Sequence, residues 1–195
     1  MNNLADLLIK NFPKQVNLED GTAITLRPLL KDDEQAFLSY FQSLAPEERV
    51  VLREEVTDPK VIGNWMETLD YDLVLPLIAL HGYRIIGAAS LIFNLSAWTQ
   101  HQGEVRLSTD PQYRAKGLGT LLIQTLEEMA AKLGLEQLTA EIPPKLDKAF
   151  YLFEKLGFGK TAVLKGFAMD TEGRESDIVL MTKSMAPAES EFRHT

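Results

Sequence analysis

Asp110-Pro111-Gln112-Tyr113-Arg114-Ala115-Lys116-Gly117-Leu118-Gly119-Thr120 joins an alternating, strand-like segment, Glu104 to Ser108, to the clearest amphipathic helix of the chain. Leu121, Leu122, Leu126, Met129, Ala130 and Leu133 share one face of that helix, and Gln124, Glu127, Glu128 and Lys132 take the other. Gly134 stops it as a left-handed cap. The first amides of a helix have no intrahelical acceptor and its dipole favours negative charge, so a loop carrying Gly117 and Gly119 at this point is an anion site in outline. Arg114 and Lys116 add countercharge. The spacing is not G-x-G-x-x-G, because Leu122 stands three residues beyond Gly119, and this loop holds no G-K-[ST]; nicotinamide cofactors and ATP are therefore disfavoured.

Upstream, Leu4, Leu7, Leu8 and Phe12 at helical spacing predict a short amphipathic helix within residues 2–12. Thr22 to Leu29 alternates and is stopped by Pro28, a strand. Asp32 or Asp33 can cap the next helix, whose stripe is Phe37, Leu38, Phe41 and Leu44; another begins after Asp58-Pro59, with Val61, Ile62, Trp65, Met66 and Leu69 on one side. Leu75–Leu80 and Arg84–Phe93 predict a hairpin across His81-Gly82-Tyr83. Downstream of Gly134, Leu138, Ala140 and Ile142 alternate as a strand, Pro143-Pro144 is expected to open a helix with the stripe Leu146, Ala149, Phe150 and Phe153, and Gly157 ends it. Two closing strands, Phe158–Phe167 and Asp177–Lys183, are expected around a turn at Asp170-Thr171-Glu172-Gly173. No repeat or linker divides the chain. The pattern is that of one α+β domain over residues 21–185, with an N-terminal helical extension at 1–20 and a mobile tail at 186–195.

The 195 residues suffice for one well-formed core, and the 45% hydrophobic and 25% charged residues are those of a globular chain. The apolar runs fall short of the roughly 20 residues a membrane span needs, and Asp6, Lys10 and Lys14 interrupt any signal-like segment, so a cytoplasmic protein with no membrane partner is expected. A formal net charge of -8 is the wrong sign for holding a phosphate backbone, so nucleic acid is a poor partner. With no cysteine, and with His81, His101 and His194 scattered and expected in loops, a metal site is not expected.

Arg114-Ala115-Lys116-Gly117-Leu118-Gly119 resembles the acyl-CoA pyrophosphate motif [RQ]-x-x-G-x-[GA] of the GCN5-related N-acetyltransferase (GNAT) superfamily. Leu152-Phe153-Glu154-Lys155-Leu156-Gly157-Phe158 is similar to that superfamily's "LYEKLGF" segment, and Ile24-Thr25-Leu26-Arg27-Pro28 to its first strand. The nearer resemblance is to Pat-type protein lysine acetyltransferases, in which a glutamate stands on the strand before the motif, at the place of Glu104. The resemblance implies a mixed, mostly antiparallel, splayed sheet flanked by helices. It implies acetyl-CoA as cosubstrate, lying between the strand of Glu104 to Thr109 and the strand after Gly134. The expected cofactor-binding residues are Leu107, Ser108, Thr109, Arg114, Ala115, Lys116, Gly117, Leu118, Gly119 and Thr120. Two positions depart from the family pattern. Phe153 stands where many members have a tyrosine proposed to protonate the leaving thiolate, with Tyr151 on a different helical face, and Leu146 stands where an asparagine often meets the pantetheine arm.

Attack on a thioester needs a neutral amine, whereas a lysine ammonium with a pKa near 10.4 is almost wholly protonated at pH 7. Glu104, directly or through water, is the candidate to accept that proton, with N–H groups near Leu107–Thr109 holding the thioester oxygen. A thiol pKa near 8.5 lets the thiolate leave without obligatory protonation. The acidic residues Glu47, Glu48, Glu54, Glu55 and Asp58 are expected along an acceptor groove where they can draw in a cation. The leading expectation is an acetyl-CoA-dependent N-acetyltransferase acting on a primary amine such as a protein lysine, as a monomer or homodimer. A small-molecule amine acetyltransferase (polyamine, aminoglycoside or amino acid) and a non-catalytic acyl-CoA sensor are the alternatives.

Overall fold

The computed structural model describes residues 4–49, 54–169 and 173–185. Their eight strands form one open sheet in the order β1-β2-β3-β4-β5-β6-β8-β7, with β1 Lys14–Asn17, β2 Ala23–Pro28, β3 Val74–His81, β4 Arg84–Phe93, β5 Gln102–Thr109, β6 Gln137–Ile142, β7 Gly159–Met169 and β8 Glu175–Ser184. Every neighbouring pair is antiparallel except β5 and β6. Helices α1 (Leu4–Asn11), α2 (Glu34–Ser43), α3 (Pro46–Arg49), α4 (Pro59–Glu67), α5 (Leu118–Leu133) and α6 (Asp147–Lys155) flank it. The α+β architecture and splayed mixed sheet follow the expectation.

The sheet is covered on both faces at its centre, which is why β3 and β4 read as near-continuous apolar runs. Leu75, Leu77 and Ala79 point with Ile86 and Leu91 into a core shared with Leu122, Leu126 and Met129 of α5 and Phe153 of α6. Ile78, Leu80, Ile85 and Ala88 point the other way, into a smaller core with Phe37 and Phe41 of α2 and Ile62 and Met66 of α4. Gly117 (φ +83°) and Gly134 (φ +80°) bracket α5 in left-handed conformations that favour glycine.

Four local readings need correction. Lys14–Asn17 is an edge strand on β2, a four-residue segment too short and too polar to stand out. Its turn touches the loop before α5, since the Glu19 amide donates to the Lys116 carbonyl at 3.0 Å. Pro143-Pro144 does not open α6; the chain turns through Leu146 N–H to Pro143 O, and the helix starts at Asp147. His81 is not in a loop but ends β3, its Nδ1 2.8 Å from the Tyr113 hydroxyl. Asp33 does precede α2, but its side chain does not cap that helix. It receives both terminal nitrogens of Arg27, at 2.6 and 2.7 Å, and the Leu30 amide at 2.8 Å. Residues 170–172, where most of the β7–β8 turn was expected, His194 and the 186–195 tail lie outside the described residues.

Burial alone would raise the Asp33 carboxyl, but the paired hydrogen bonds from Arg27 and the Leu30 amide outweigh it and hold it below its ordinary value. A depressed folded-state value stabilises the fold above the ordinary Asp pKa of about 3.9, and that contribution is lost as the pH falls through the folded value. Thermal melts from pH 7 downward should show Asp33→Asn losing less stability in the acid range than the parent. Parallel acid limbs for the two proteins would remove Asp33 from the acid response.

Candidate active site

The site is made by a divergence of two strands. β5 runs beside β6 in parallel only at Gln102–Gln137, Gly103–Leu138 and Glu104–Thr139, after which the strands separate while β5 stays paired with β4 as far as Thr109. Beyond Glu104, the edge of β5 that faces β6 is therefore open. Backbone groups along such an edge need hydrogen-bonding partners, and an extended amide-bearing ligand laid along it supplies them.

At the end of β5, Asp110 organises the turn. Its buried carboxylate accepts from the Gln112 amide at 2.9 Å and from Arg84 at 2.6 Å, and Pro111 starts a single 3-10 turn ending at Tyr113. Ala115 (φ +56°) and Gly117 then adopt left-handed conformations. Among the described residues, the amides of Ala115 to Thr120 find no acceptor, while Leu121 N–H returns to the Gly117 carbonyl at 2.9 Å. These are the amides that the sequence reading assigned to an anion.

Its countercharges are already engaged by carboxylates. Arg114 binds Glu48 at 2.5 Å and the Thr109 carbonyl at 3.1 Å, and Lys116 binds Asp20 at 2.9 Å while lying 5.3 Å from the Tyr113 ring centre. Hydrogen bonds from Thr22 and Lys116 hold the Asp20 carboxyl below the usual carboxylate range. Gly117 has a further constraint, since a side-chain carbon there would meet the Glu19 carboxylate at 2.9 Å. At Gly119 a side-chain carbon would fall 3.0 Å from Leu152 and 3.2 Å from Leu107, so this glycine also lets α5 pack closely against β5 and α6.

On the sheet face away from α5, the register lines up Val74, Ile92 and Glu104, then Pro76, Ser90 and Arg106, then Ile78, Ala88 and Ser108. Glu104 and Arg106 pair on that face, Nε to Oε1 at 2.8 Å, and their side chains are 19% and 23% exposed. Glu104 is thus a half-covered member of a charge pair. Arg106 was not singled out from sequence, although its position two residues from Glu104 on one strand already put the two side by side. Glu141 on β6 falls on the same face by alternation with Ala140 and Ile142 and was likewise missed. Tyr40 of α2 donates its hydroxyl to Ser108 Oγ at 3.0 Å; burial pushes its phenol well above the ordinary value, so it remains a donor.

Between this face and helices α2 and α4 lies a cleft of about 410 Å³, walled by Phe37, Phe41, Trp65, Leu69 and Ile92, with Arg106, Ser90 and Ser108 on its floor. The acidic run expected along a groove is dispersed. Glu48 is drawn to Arg114, Asp58 caps α4 through the Lys60 amide, and Glu55 lies exposed with Thr57. Only Glu54 of the described residues in that run lines the cleft, accepting from Trp65 Nε1 at 3.2 Å; the Glu47 side chain lies outside the described residues. Glu48, Glu55 and Asp58 each found a nearer backbone or cationic partner. Phe153 is buried edge-on against Phe158, ring centres 5.0 Å apart, and Tyr151 faces out. No group of three or more potential ligands for a metal occurs among the described residues, and no helix there is long and apolar enough to cross a membrane.

Comparison with known proteins bears on the fold and the family. The [ribosomal protein bS18]-alanine N-acetyltransferase of Escherichia coli K12 is 31% identical over 74 residues, a stretch spanning 38% of this chain and half the length of that enzyme. The GNAT domain of S. lividans PAT superposes with a TM-score of 0.71 at 18% identity, covering 88% of this chain and 96% of that domain. The structure of yncA from Salmonella typhimurium with its cofactor acetyl-CoA superposes with a TM-score of 0.69 at 21% identity, covering 86% of this chain and 96% of that one. The pattern of the Acetyltransferase (GNAT) family matches residues 27–158, from β2 through the divergence of β5 and β6 to the end of α6, and the chain belongs to that family.

Proposed function

We propose that the protein is an acetyl-CoA-dependent N-acetyltransferase that moves the acetyl group from the CoA thioester to a primary amine. The observation that carries this is the coincidence, on one strand, of the open β5 edge, the unpartnered amides at its C-terminal end and a carboxylate where the strands part. In this reading the diphosphate sits on the amides of Ala115 to Thr120, and Arg114 and Lys116 leave Glu48 and Asp20 to meet it. The pantetheine arm lies along β5, N–H groups near Leu107–Thr109 hold the thioester oxygen as negative charge gathers on it, and Glu104 takes the ammonium proton. Phe153 cannot protonate the leaving sulfur, and the thiolate's modest basicity makes that unnecessary. A cytoplasmic site of action goes with this reading.

Incubation with acetyl-CoA and a panel of amines, followed as free thiol, tests it. Thiol release that depends on at least one amine is the expected result. Tight CoA binding with no turnover on lysine peptides, polyamines or amino acids would replace the enzyme by an acyl-CoA sensor, the reading that Phe153 and Leu146 favour.

The engaged countercharges give a second expectation. Arg114→Ala should weaken CoA binding by about 10- to 150-fold, the worth of a charge-assisted contact of roughly 1.5–3 kcal/mol. Glu48→Gln should strengthen it, because Arg114 no longer has to leave a carboxylate. Calorimetry showing Glu48→Gln binding CoA more weakly than the parent would contradict that competition.

A further inference from the structure

Arg106 is left over by the mechanism above. Its Nε serves Glu104, but its two terminal nitrogens have no acceptor among the described residues, and the guanidinium lies on the floor of the cleft beside Ser90, whose hydroxyl is likewise without a hydrogen-bond partner there. An arginine fork in a half-covered site matches a carboxylate in shape and charge. The neighbouring Glu104 matches an ammonium. Side by side on one strand face, the two present the complement of a group that carries both charges on adjacent atoms.

The remainder of the cleft is apolar. Phe37, Phe41, Trp65, Leu69 and Ile92 wall it, and its volume of about 410 Å³ is at the small end of ligand pockets. That is room for a small molecule of amino-acid size. We propose that the acceptor is a free α-amino acid with an apolar side chain, its carboxylate on Arg106 and Ser90, its amine beside Glu104, and its side chain between the sheet and helices α2 and α4. This rests on the N-acetyltransferase reading and narrows it.

The atoms balance as follows. The ammonium gives one proton to Glu104, which passes it to water. The neutral nitrogen forms the bond to the thioester carbonyl carbon, the carbon–sulfur bond breaks, and the nitrogen's second proton ends on the departing thiolate. The products are the N-acetyl amino acid and CoA thiol.

The test compares L-phenylalanine, L-phenylalaninamide and 2-phenylethylamine as acceptors for acetyl-CoA, with thiol release and product mass both recorded. The three share the side chain and differ in the carboxylate and in the basicity of the amine, so kcat/KM is compared per neutral amine, at a pH where all three are deprotonated. The expected kcat/KM is about 10- to 100-fold higher for the free acid than for the amide, the worth of one charged hydrogen-bonded contact, and that preference should vanish in Arg106→Gln through KM rather than kcat. Equal or better use of the amide, or a preference for the acid that survives Arg106→Gln, would overturn the proposal while leaving the N-acetyltransferase in place. Turnover confined to polyamines or lysine peptides would overturn it too. Absence of amine-dependent thiol release with every acceptor would instead overturn the underlying reading. The wild-type comparison of acid with amide decides the matter even if the variant does not fold.

Discussion

Glu104→Gln should lower amine-dependent thiol release by about 10²–10⁴ at neutral pH while leaving CoA affinity and thermal stability close to the parent, since general-base catalysis is worth about that much. The substitution keeps the shape of the side chain and its hydrogen bond from Arg106, and removes only the capacity to hold a proton. Raising the pH should recover much of the rate, because more of the acceptor is then already neutral. That recovery should come at lower pH for the N-terminal α-amine of a peptide, with a pKa near 8, than for a lysine side chain near 10.4. Turnover and a pH profile unchanged in the variant would take the base role from Glu104 and turn attention to Glu141, the other carboxylate placed on that face. A large loss accompanied by weakened CoA binding or by unfolding would mean a structural part for the Glu104–Arg106 pair.

The second large effect is expected at the loop before α5. Gly119→Glu should remove measurable CoA binding, because a carboxylate is brought to the amides proposed to hold the diphosphate and the Cβ has only 3.0 Å to Leu152. Each charge-assisted hydrogen bond lost costs about 1.5–3 kcal/mol, so losing two weakens binding beyond a hundredfold. Packing and charge can be separated. Gly119→Ala introduces the steric conflict alone, and pairing it with Leu152→Ala relieves that conflict at the flexible end of a side chain. The double variant should bind CoA nearly as well as the parent. Retention of parental affinity by Gly119→Glu would remove the amides of Ala115 to Thr120 as the diphosphate site.

Much of this was legible in the chain because the governing signals are local. The stripe of α5 and the glycines at its two ends dictate where it starts and stops, and the alternation of Leu138, Ala140 and Ile142 fixes which side of β6 is core. What escaped was set by contacts across long separations. Nothing near Arg114 in sequence announces Glu48, 66 residues away, nor does anything near Lys116 announce Asp20. Lys14–Asn17 is a strand only because β2 offers it an edge. The acidic run from Glu47 to Asp58 read as one patch, yet each described carboxylate turned to the nearest donor, and the cleft kept only Glu54. Arg106 is a different case. Its place beside Glu104 follows from the two-residue period of a strand and is legible in the sequence.

Amide hydrogen exchange with and without CoA tests most directly that the loop between β5 and α5 holds the diphosphate. Addition of CoA should slow exchange at Ala115 to Thr120, whose N–H groups otherwise have no acceptor among the described residues, and along the open edge of β5 from Leu107 to Thr109. Unchanged exchange across Ala115–Thr120 under saturating CoA, with protection appearing elsewhere in the chain, would contradict it.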